Sequence, residues 1–212
     1  MSTRIQFARL YDDPPKLHNW NRSLNLGGFN QWMLERLFAF LENAGLAEGG
    51  ASFVETGAGL STLMFLCTNP KEVVTCTVED EAFFGRLAEA AASIQVSMKP
   101  SAMHVGRSEV LLPELVLDRD PFSDFALIDG GHGWPTVFVD FCYVAYATRQ
   151  HGFVALDDTQ LYSVAQLAEF LKEQPGWEVA LDLGKVIIFR KLYEDRLLPD
   201  FGGQPFIKKR SA

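Results

Sequence analysis

The stretch FVETGAGLSTLMFL, Phe53 to Leu66, decides the fold. Its opening, Phe53 to Thr56, predicts a buried strand, and residues 60–68 predict a helix that follows at once. Gly57 and Gly59 lie at the junction, where glycines let backbone N–H groups approach a ligand and the helix start adds a partial positive charge. The stretch is typical of a strand, a ligand-binding loop and a helix, and it suits phosphate, nucleotide and adenosine alike.

Short strands and helices continue to alternate beyond this stretch. The later strands are predicted at 73–78, 102–105, 125–128 and 153–156, with helices at 81–92, 108–116, 136–147 and 164–172. Helical crossovers join parallel strands and cover both faces of a sheet. Two last strand-like runs, 177–183 and 185–190, are separated only by Gly184 and must form a hairpin. We predict an α/β fold with a Rossmann-like, doubly wound, mostly parallel seven-stranded sheet and a C-terminal antiparallel hairpin.

The chain divides into three predicted parts. Residues 1–48 are an N-terminal arm, irregular up to residue 30, followed by a helix at 31–44. Residues 49–195 form the ligand-binding domain, and residues 196–212 form a tail rich in glycine and proline with a basic end.

Composition limits the partners and the compartment. The 212 residues are 48% hydrophobic with a net charge of −8 and a pI near 5.0, so no overall positive field attracts a nucleic acid. The three cysteines, Cys67, Cys76 and Cys142, form no C-x-x-C pair, which argues against a disulfide framework or a thiolate zinc site. Neither a signal peptide nor an apolar run long enough for a bilayer is present. We expect a cytoplasmic protein with no membrane partner, and the sequence leaves the oligomeric state open, a homodimer included.

The residues that follow the strands narrow the ligand. Ligands of a doubly wound sheet bind at the carboxyl ends of its strands, and four of the five predicted ends carry acids rather than the Lys or Arg of a phosphate site. Thr62 takes the third glycine position of a dinucleotide fingerprint, and no Gly-Lys-Ser/Thr of a P-loop follows. Glu79 lies 22 residues after Gly57, where an acid binds ribose hydroxyls. Both NAD and S-adenosylmethionine carry such hydroxyls.

Five motifs in order resemble class I S-adenosylmethionine-dependent methyltransferases. VETGAGLST and VED resemble the first two motifs; HVGRSEVLLPEL, FALIDGGHGWPTVFVDF and HGFVALDDTQ resemble later motifs of a bacterial subgroup with Asp-Gly-x-His after the fourth strand. The resemblance covers roughly Ala51 to Arg190. It implies S-adenosylmethionine as cofactor and methylation of a small molecule, at oxygen rather than nitrogen or carbon. An NAD-linked oxidoreductase and a non-catalytic S-adenosylmethionine-binding protein remain the alternatives.

The resemblance also implies roles for single residues. Glu55, Gly57 and Gly59 would line the methionine and ribose portions, and Glu79 would hold the ribose hydroxyls. Arg107 stands where an acid near the adenine is common, so either Ser108 or a backbone group binds the adenine amine, or the Arg107 side chain points away from the adenine. The full expected cofactor set is Glu55, Thr56, Gly57, Ala58, Gly59, Ser61, Glu79, Asp80, Ser108 and Asp129.

Catalytic and metal-binding candidates follow the fourth and fifth strands of the alternation. Asp129 is expected beside the reacting methyl group, and His132 as general base or extra metal ligand. Asp129, Asp157 and Asp158 would meet at adjacent strand ends, where Mg²⁺ would relieve their repulsion. In the alternative, Asp158 caps the next helix and Asp129 orients loop amides.

Two further interpretations concern aromatic and histidine side chains. Four aromatic residues are interpreted either as walls of the acceptor site or as ordinary packing residues: Trp20, Phe29, Trp32 and Trp134. The histidines interpreted as structural or exposed are His18, His104 and His151.

Overall fold

The computed structural model describes residues 2–194 and contains a seven-stranded sheet flanked by helices. The strands are β1 (His18–Trp20), β2 (Ser23–Asn25), β3 (Ser52–Thr56), β4 (Glu72–Thr77), β5 (Ser101–Val105), β6 (Ser123–Ile128), β7 (Thr148–Leu156), β8 (Trp177–Asp182) and β9 (Ile187–Lys191). The helices are α1 (Thr3–Asp12), α2 (Gln31–Asn43), α3 (Leu60–Cys67), α4 (Glu81–Ser93), α5 (Ser108–Val116), α6 (Thr136–Ala147) and α7 (Tyr162–Lys172).

The sheet has the strand order β5-β4-β3-β6-β7-β9-β8. The pairs from β5 to β7 are parallel, and β9 runs antiparallel to both β7 and β8. The chain moves outward from β3 to β5 and returns to β6, so the strand order reverses between β3 and β6. The predicted fold class and its terminal hairpin are confirmed.

The alternation of side chains on the central strands builds two cores, one on each face of the sheet. Phe53 of β3 and Phe125 of β6 belong to one core, whereas Val54 and Ala126 belong to the other. All five residues of β3 are buried because helices cover both of its faces. The sheet is thereby a rigid support for the loops at its carboxyl edge.

The N-terminal segment is more regular than the sequence indicated. It forms α1 and the two-stranded hairpin of β1 and β2, so the prediction of an irregular segment up to residue 30 was wrong. All eight residues of α3 are buried, because α1 and α2 pack against α3 in addition to the sheet. The Phe7 ring of α1 stacks on Phe38 of α2 with a centroid separation of 3.8 Å. The arm is therefore part of the core.

Two predictions remain, one about the C-terminal tail and one about membrane-spanning segments. The tail predicted for residues 196–212 lies outside the described residues. Within residues 2–194, no helix combines the length and apolar character needed to cross a bilayer.

Candidate functional site

A cavity of about 780 Å³ opens at the carboxyl ends of β3, β4, β5 and β6, beside the strand-order reversal. This volume lies within the range of small-molecule sites, and the position is where doubly wound sheets bind ligands. The cavity brings together seven residues of the predicted cofactor set: Gly57, Ala58, Gly59, Ser61, Glu79, Ser108 and Asp129. The arm forms the opposite wall between residues 18 and 29.

The loop between β3 and α3 uses its amides within the protein. The Gly57 amide donates to the Cys76 carbonyl at 2.8 Å, and the Gly59 amide donates to the Thr62 hydroxyl at 3.0 Å. A pyrophosphate-binding loop needs such N–H groups free to point at the anion. Thr62 thus does more than replace a third glycine, because it removes one donor from the loop.

Glu55 lies beneath this loop and does not line the cavity. Its carboxylate accepts hydrogen bonds from the hydroxyls of Ser61 at 2.9 Å, Thr62 at 2.5 Å and Thr75 at 2.9 Å. Burial raises the pKa of Glu55 to about 7, although the three hydroxyls act in the opposite direction. The structure thus gives Glu55 a role in holding the first turn of α3 against β4 instead of the cofactor contact implied by the motif.

Thr56 and Asp80 also lie outside the cavity lining. The Thr56 hydroxyl accepts from the Gly130 amide at 3.2 Å and so joins the ends of β3 and β6. Asp80 is the N-cap of α4 and accepts from the Phe83 amide at 2.9 Å. Both residues therefore stabilise segments next to the cavity without lining it.

Glu79 faces the cavity and has a partner that the sequence did not indicate. His18, which the sequence analysis treated as structural or exposed, lines the cavity with its Nδ1 2.9 Å from a Glu79 carboxylate oxygen. A Cβ on Gly59 would lie 2.9 Å from His18 Nε2, so the glycine makes room for the histidine. A lone histidine in an arm gives no sequence signal for this contact.

Ser108 lines the cavity at the start of α5 and is oriented from α6. Its hydroxyl donates to Asp140 at 2.7 Å, and burial raises the pKa of Asp140 to about 6. The oxygen lone pairs of Ser108 are left to accept a hydrogen bond from a ligand. Arg107 pairs with Glu109, and its side chain is 71% exposed. Arg107 therefore lines the open rim of the cavity with its guanidinium paired to Glu109.

The aromatic candidates separate into two pairs. Trp20 and Phe29 line the cavity, Trp20 exposed and Phe29 buried. Trp32 and Trp134 are exposed side chains outside the lining. The arm therefore supplies the aromatic wall.

The carboxylates after β6 and β7 come together as predicted, with His132 beside them. His132 Nε2 lies 3.3 Å from Asp158 and 3.8 Å from Asp129. Burial and the neighbouring Asp157 carboxylate raise the pKa of Asp129 well above its usual range. Asp158 does not cap α7 with its side chain, since it accepts instead from Gln160 at 2.8 Å.

Lys185, in the turn between β8 and β9, brings a cation into this cluster. Its ammonium donates to the two oxygens of Asp157 at 2.9 and 2.8 Å and lies 3.0 Å from Asp158. Burial acts to lower the pKa of Lys185, but hydrogen bonds and charge from Asp157 and Asp158 outweigh it and raise the pKa. Lys185 was not predicted as a site residue, because a lysine in a hairpin turn is ordinarily a solvated residue.

Comparison with known proteins identifies the fold to which this architecture belongs. No protein-family model and no curated protein matches the chain. The O-methyltransferase TomG from Streptomyces achromogenes, involved in tomaymycin synthesis and solved with S-adenosylmethionine, is 18% identical with a TM-score of 0.64 over 91% of this chain and 89% of TomG. Cofactor-bound Rv0187 from MTB is 13% identical with a TM-score of 0.63 over 91% and 90% of the two chains. The chain has the fold of S-adenosylmethionine-dependent methyltransferases.

A third neighbour of this methyltransferase fold was solved with a metal. MycE from the mycinamycin biosynthetic pathway, in complex with Mg and S-adenosylhomocysteine, is 13% identical with a TM-score of 0.60. The alignment covers 92% of this chain but 55% of MycE. The residues present here do not fit a divalent cation, because the Lys185 ammonium already holds both oxygens of Asp157 and one of Asp158. With Lys185 in this position, no three His, Cys, Asp or Glu side chains within residues 2–194 are arranged to hold a metal.

Proposed function

We propose that this protein is an S-adenosylmethionine-dependent methyltransferase that methylates a small molecule at oxygen. The observation that carries the proposal is the cavity at the strand-order reversal, with a glycine loop on one side and Glu79 and Asp129 on the others. Carboxylates suit a cofactor that carries a sulfonium cation and free ribose hydroxyls. The same carboxylates would repel the pyrophosphate of NAD, and two loop amides that could bind it are already used.

The proposed cofactor contacts follow the lining. Gly57, Ala58 and Gly59 would carry the backbone past the methionine and ribose portions, with Ser61 in the first turn of α3. Glu79 would accept from the ribose hydroxyls, and the Ser108 hydroxyl, oriented by Asp140, would accept from the adenine amine. Asp129 would lie near the methionine end. When bound, S-adenosylmethionine supplies the activated methyl group.

The chain's own part in the reaction is alignment and proton transfer. His132, which lines the cavity, would take the proton of the acceptor hydroxyl at Nε2. The Asp158 carboxylate, 3.3 Å from that nitrogen, would stabilise the imidazolium that forms, and Asp129 lies 3.8 Å from the same nitrogen. Trp20 and Phe29 of the arm would exclude water above the acceptor. The Asp-Gly-x-His motif would thereby provide both Asp129 and the base.

The proposal also covers the domain bounds, the class of acceptor and the cellular compartment. Residues 49–195 form the methyltransferase domain, residues 1–48 its arm and residues 196–212 a tail. The acceptor is a small molecule and not a nucleic acid, and the protein works in the cytoplasm. Arg107 lines the cavity but is paired with Glu109, so its charge is compensated beside the proposed adenine position and gives no separate reason to infer a non-catalytic cofactor-binding protein.

Calorimetry tests the cofactor directly. We expect S-adenosylmethionine to bind with a Kd on the order of micromolar. Glu79→Gln should weaken binding about tenfold, because it removes a charged acceptor for the ribose hydroxyls. The matched control is Glu81→Gln, an exposed acid in the first turn of α4, which should bind as the wild type does. Heat with NADH but none with S-adenosylmethionine would contradict the proposal.

Turnover separates an enzyme from a binding protein. The protein is incubated with S-adenosylmethionine and a panel of phenols, alcohols, amines and carbon acids, and S-adenosylhomocysteine is measured by mass spectrometry. Product with hydroxylated acceptors supports O-methylation. Product with amines alone would assign the reaction to nitrogen.

A further inference from the structure

We infer that the Lys185 ammonium is a built-in cation that takes the place of a divalent metal among Asp129, Asp157 and Asp158. Its place beside the acceptor rests on the proposed function, whereas its occupation of the carboxylate cluster rests on the geometry alone.

The charges require a cation at this position. The Asp157 side chain is fully buried, and a buried carboxylate without a partner is strongly destabilising. The ammonium supplies three N–H donors, and three carboxylate oxygens of Asp157 and Asp158 lie 2.8 to 3.0 Å from it. These are oxygens that a divalent ion would have to ligate, so lysine and metal compete for one position.

The position of Lys185 is fixed by backbone hydrogen bonds. The Thr159 amide donates to the Lys185 carbonyl at 3.0 Å, and the Thr159 hydroxyl lies 3.1 Å from the same oxygen. Thr159 follows the two aspartates directly at the end of β7, which pairs with β9. The hairpin turn is therefore anchored to the segment that carries the carboxylates, and the ammonium is preorganised among them.

Lys185 also connects the cluster to the arm. Its Nζ lies 3.3 Å from the Gly28 carbonyl and 5.6 Å from the centroid of the Phe29 ring. Metal ligation at the cluster would therefore displace a contact that holds the arm over the cavity. Lys185 is a positioning residue, because it acts on the acceptor through Asp158 and the arm.

Titration with Mn²⁺, followed by electron paramagnetic resonance, tests the inference on the full chain. The wild type and Lys185→Arg should show no tight Mn²⁺ site. Lys185→Met is one atom shorter and removes the charge of the side chain, and it should bind one Mn²⁺ with a Kd at least about tenfold lower than the wild type. Adding Asp157→Asn to Lys185→Met should abolish that site. Lys172→Met is the matched control, since Lys172 pairs with Glu169 at the surface of α7.

Two results would overturn the inference. One is a single tight Mn²⁺ site in the wild type, which needs no variant to be folded. The other is a Lys185→Met protein with wild-type circular dichroism that gains no Mn²⁺ affinity. Both readouts are independent of methyl transfer, so a failure to bind S-adenosylmethionine would count against the proposed function and leave the cation assignment in place.

Discussion

Gly57→Ala is expected to weaken S-adenosylmethionine binding at least about 100-fold and to lower the free energy of unfolding by about 2 to 5 kcal/mol. Gly57 has φ +85°, which alanine adopts only with strain. An added Cβ would also lie 2.4 Å from the Asp129 carbonyl oxygen, a backbone atom that no side-chain rotation can move. The loop after β3 and the loop after β6 would have to separate, and both line the cavity.

Gly45→Ala is the matched control for the backbone strain. Gly45 has φ +73°, close to that of Gly57, but an added Cβ would meet no atom within 4 Å. It should lose about 1 kcal/mol of stability and keep wild-type cofactor affinity. Both quantities are measured by urea unfolding and calorimetry. Equal losses of stability in the two variants, with cofactor binding intact, would contradict a functional close approach of the two loops.

The architecture was predictable because each sheet element has a strong local pattern. The predicted bounds 108–116 and 136–147 are those of α5 and α6. Gly184 alone between two strand-like runs required the hairpin that β8 and β9 form. The segment α1 was missed because it buries only Phe7 and Leu10, too few apolar positions to show a helical period. Its place is decided by the apolar outer surface of α3, which is a tertiary effect.

The site was predictable as a location and less so as a set of partners. The carboxyl ends of parallel strands must meet at one edge, so Gly57, Glu79 and Asp129 were placed correctly beside one cavity. His18 reaches that cavity from the arm, and Lys185 reaches the adjoining carboxylate cluster from an antiparallel hairpin; no local pattern encodes the packing of either segment.

Glu55 could have been identified as a buried support from its surroundings. Ser61 and Thr62 are polar residues within an otherwise apolar helix, and Thr75 interrupts the apolar run of β4. Three hydroxyls in buried elements need an acceptor, and Glu55 provides it.

Glu55→Ala leaves all three hydroxyls without that acceptor. It should lower the free energy of unfolding, measured with urea, by about 3 to 5 kcal/mol.

The raised pKa of Glu55 predicts that wild-type stability falls as the pH rises from about 5 to about 7. The folded protein retains the proton up to a pKa of about 7, whereas an unfolded glutamate loses it near 4.5. The folded state thus binds more protons in this window, and linkage makes the slope of stability against pH negative, with a total of about 3 kcal/mol. Glu55→Gln stays neutral throughout and should lack this part of the slope.

The comparison of Glu55→Gln with the wild type at each pH isolates this effect. Burial also raises the pKa of Asp140 to about 6, and Asp140 titrates in the same window in both proteins, so its contribution cancels in the difference. Urea unfolding between pH 5 and pH 8 should show equal stabilities near pH 5 and a growing advantage for Glu55→Gln above it. Glu89→Gln, an exposed acid of α4, should follow the wild type at every pH. A difference that stays constant from pH 5 to pH 8 would mean that Glu55 is buried as a carboxylate, held charged by its three hydroxyl donors.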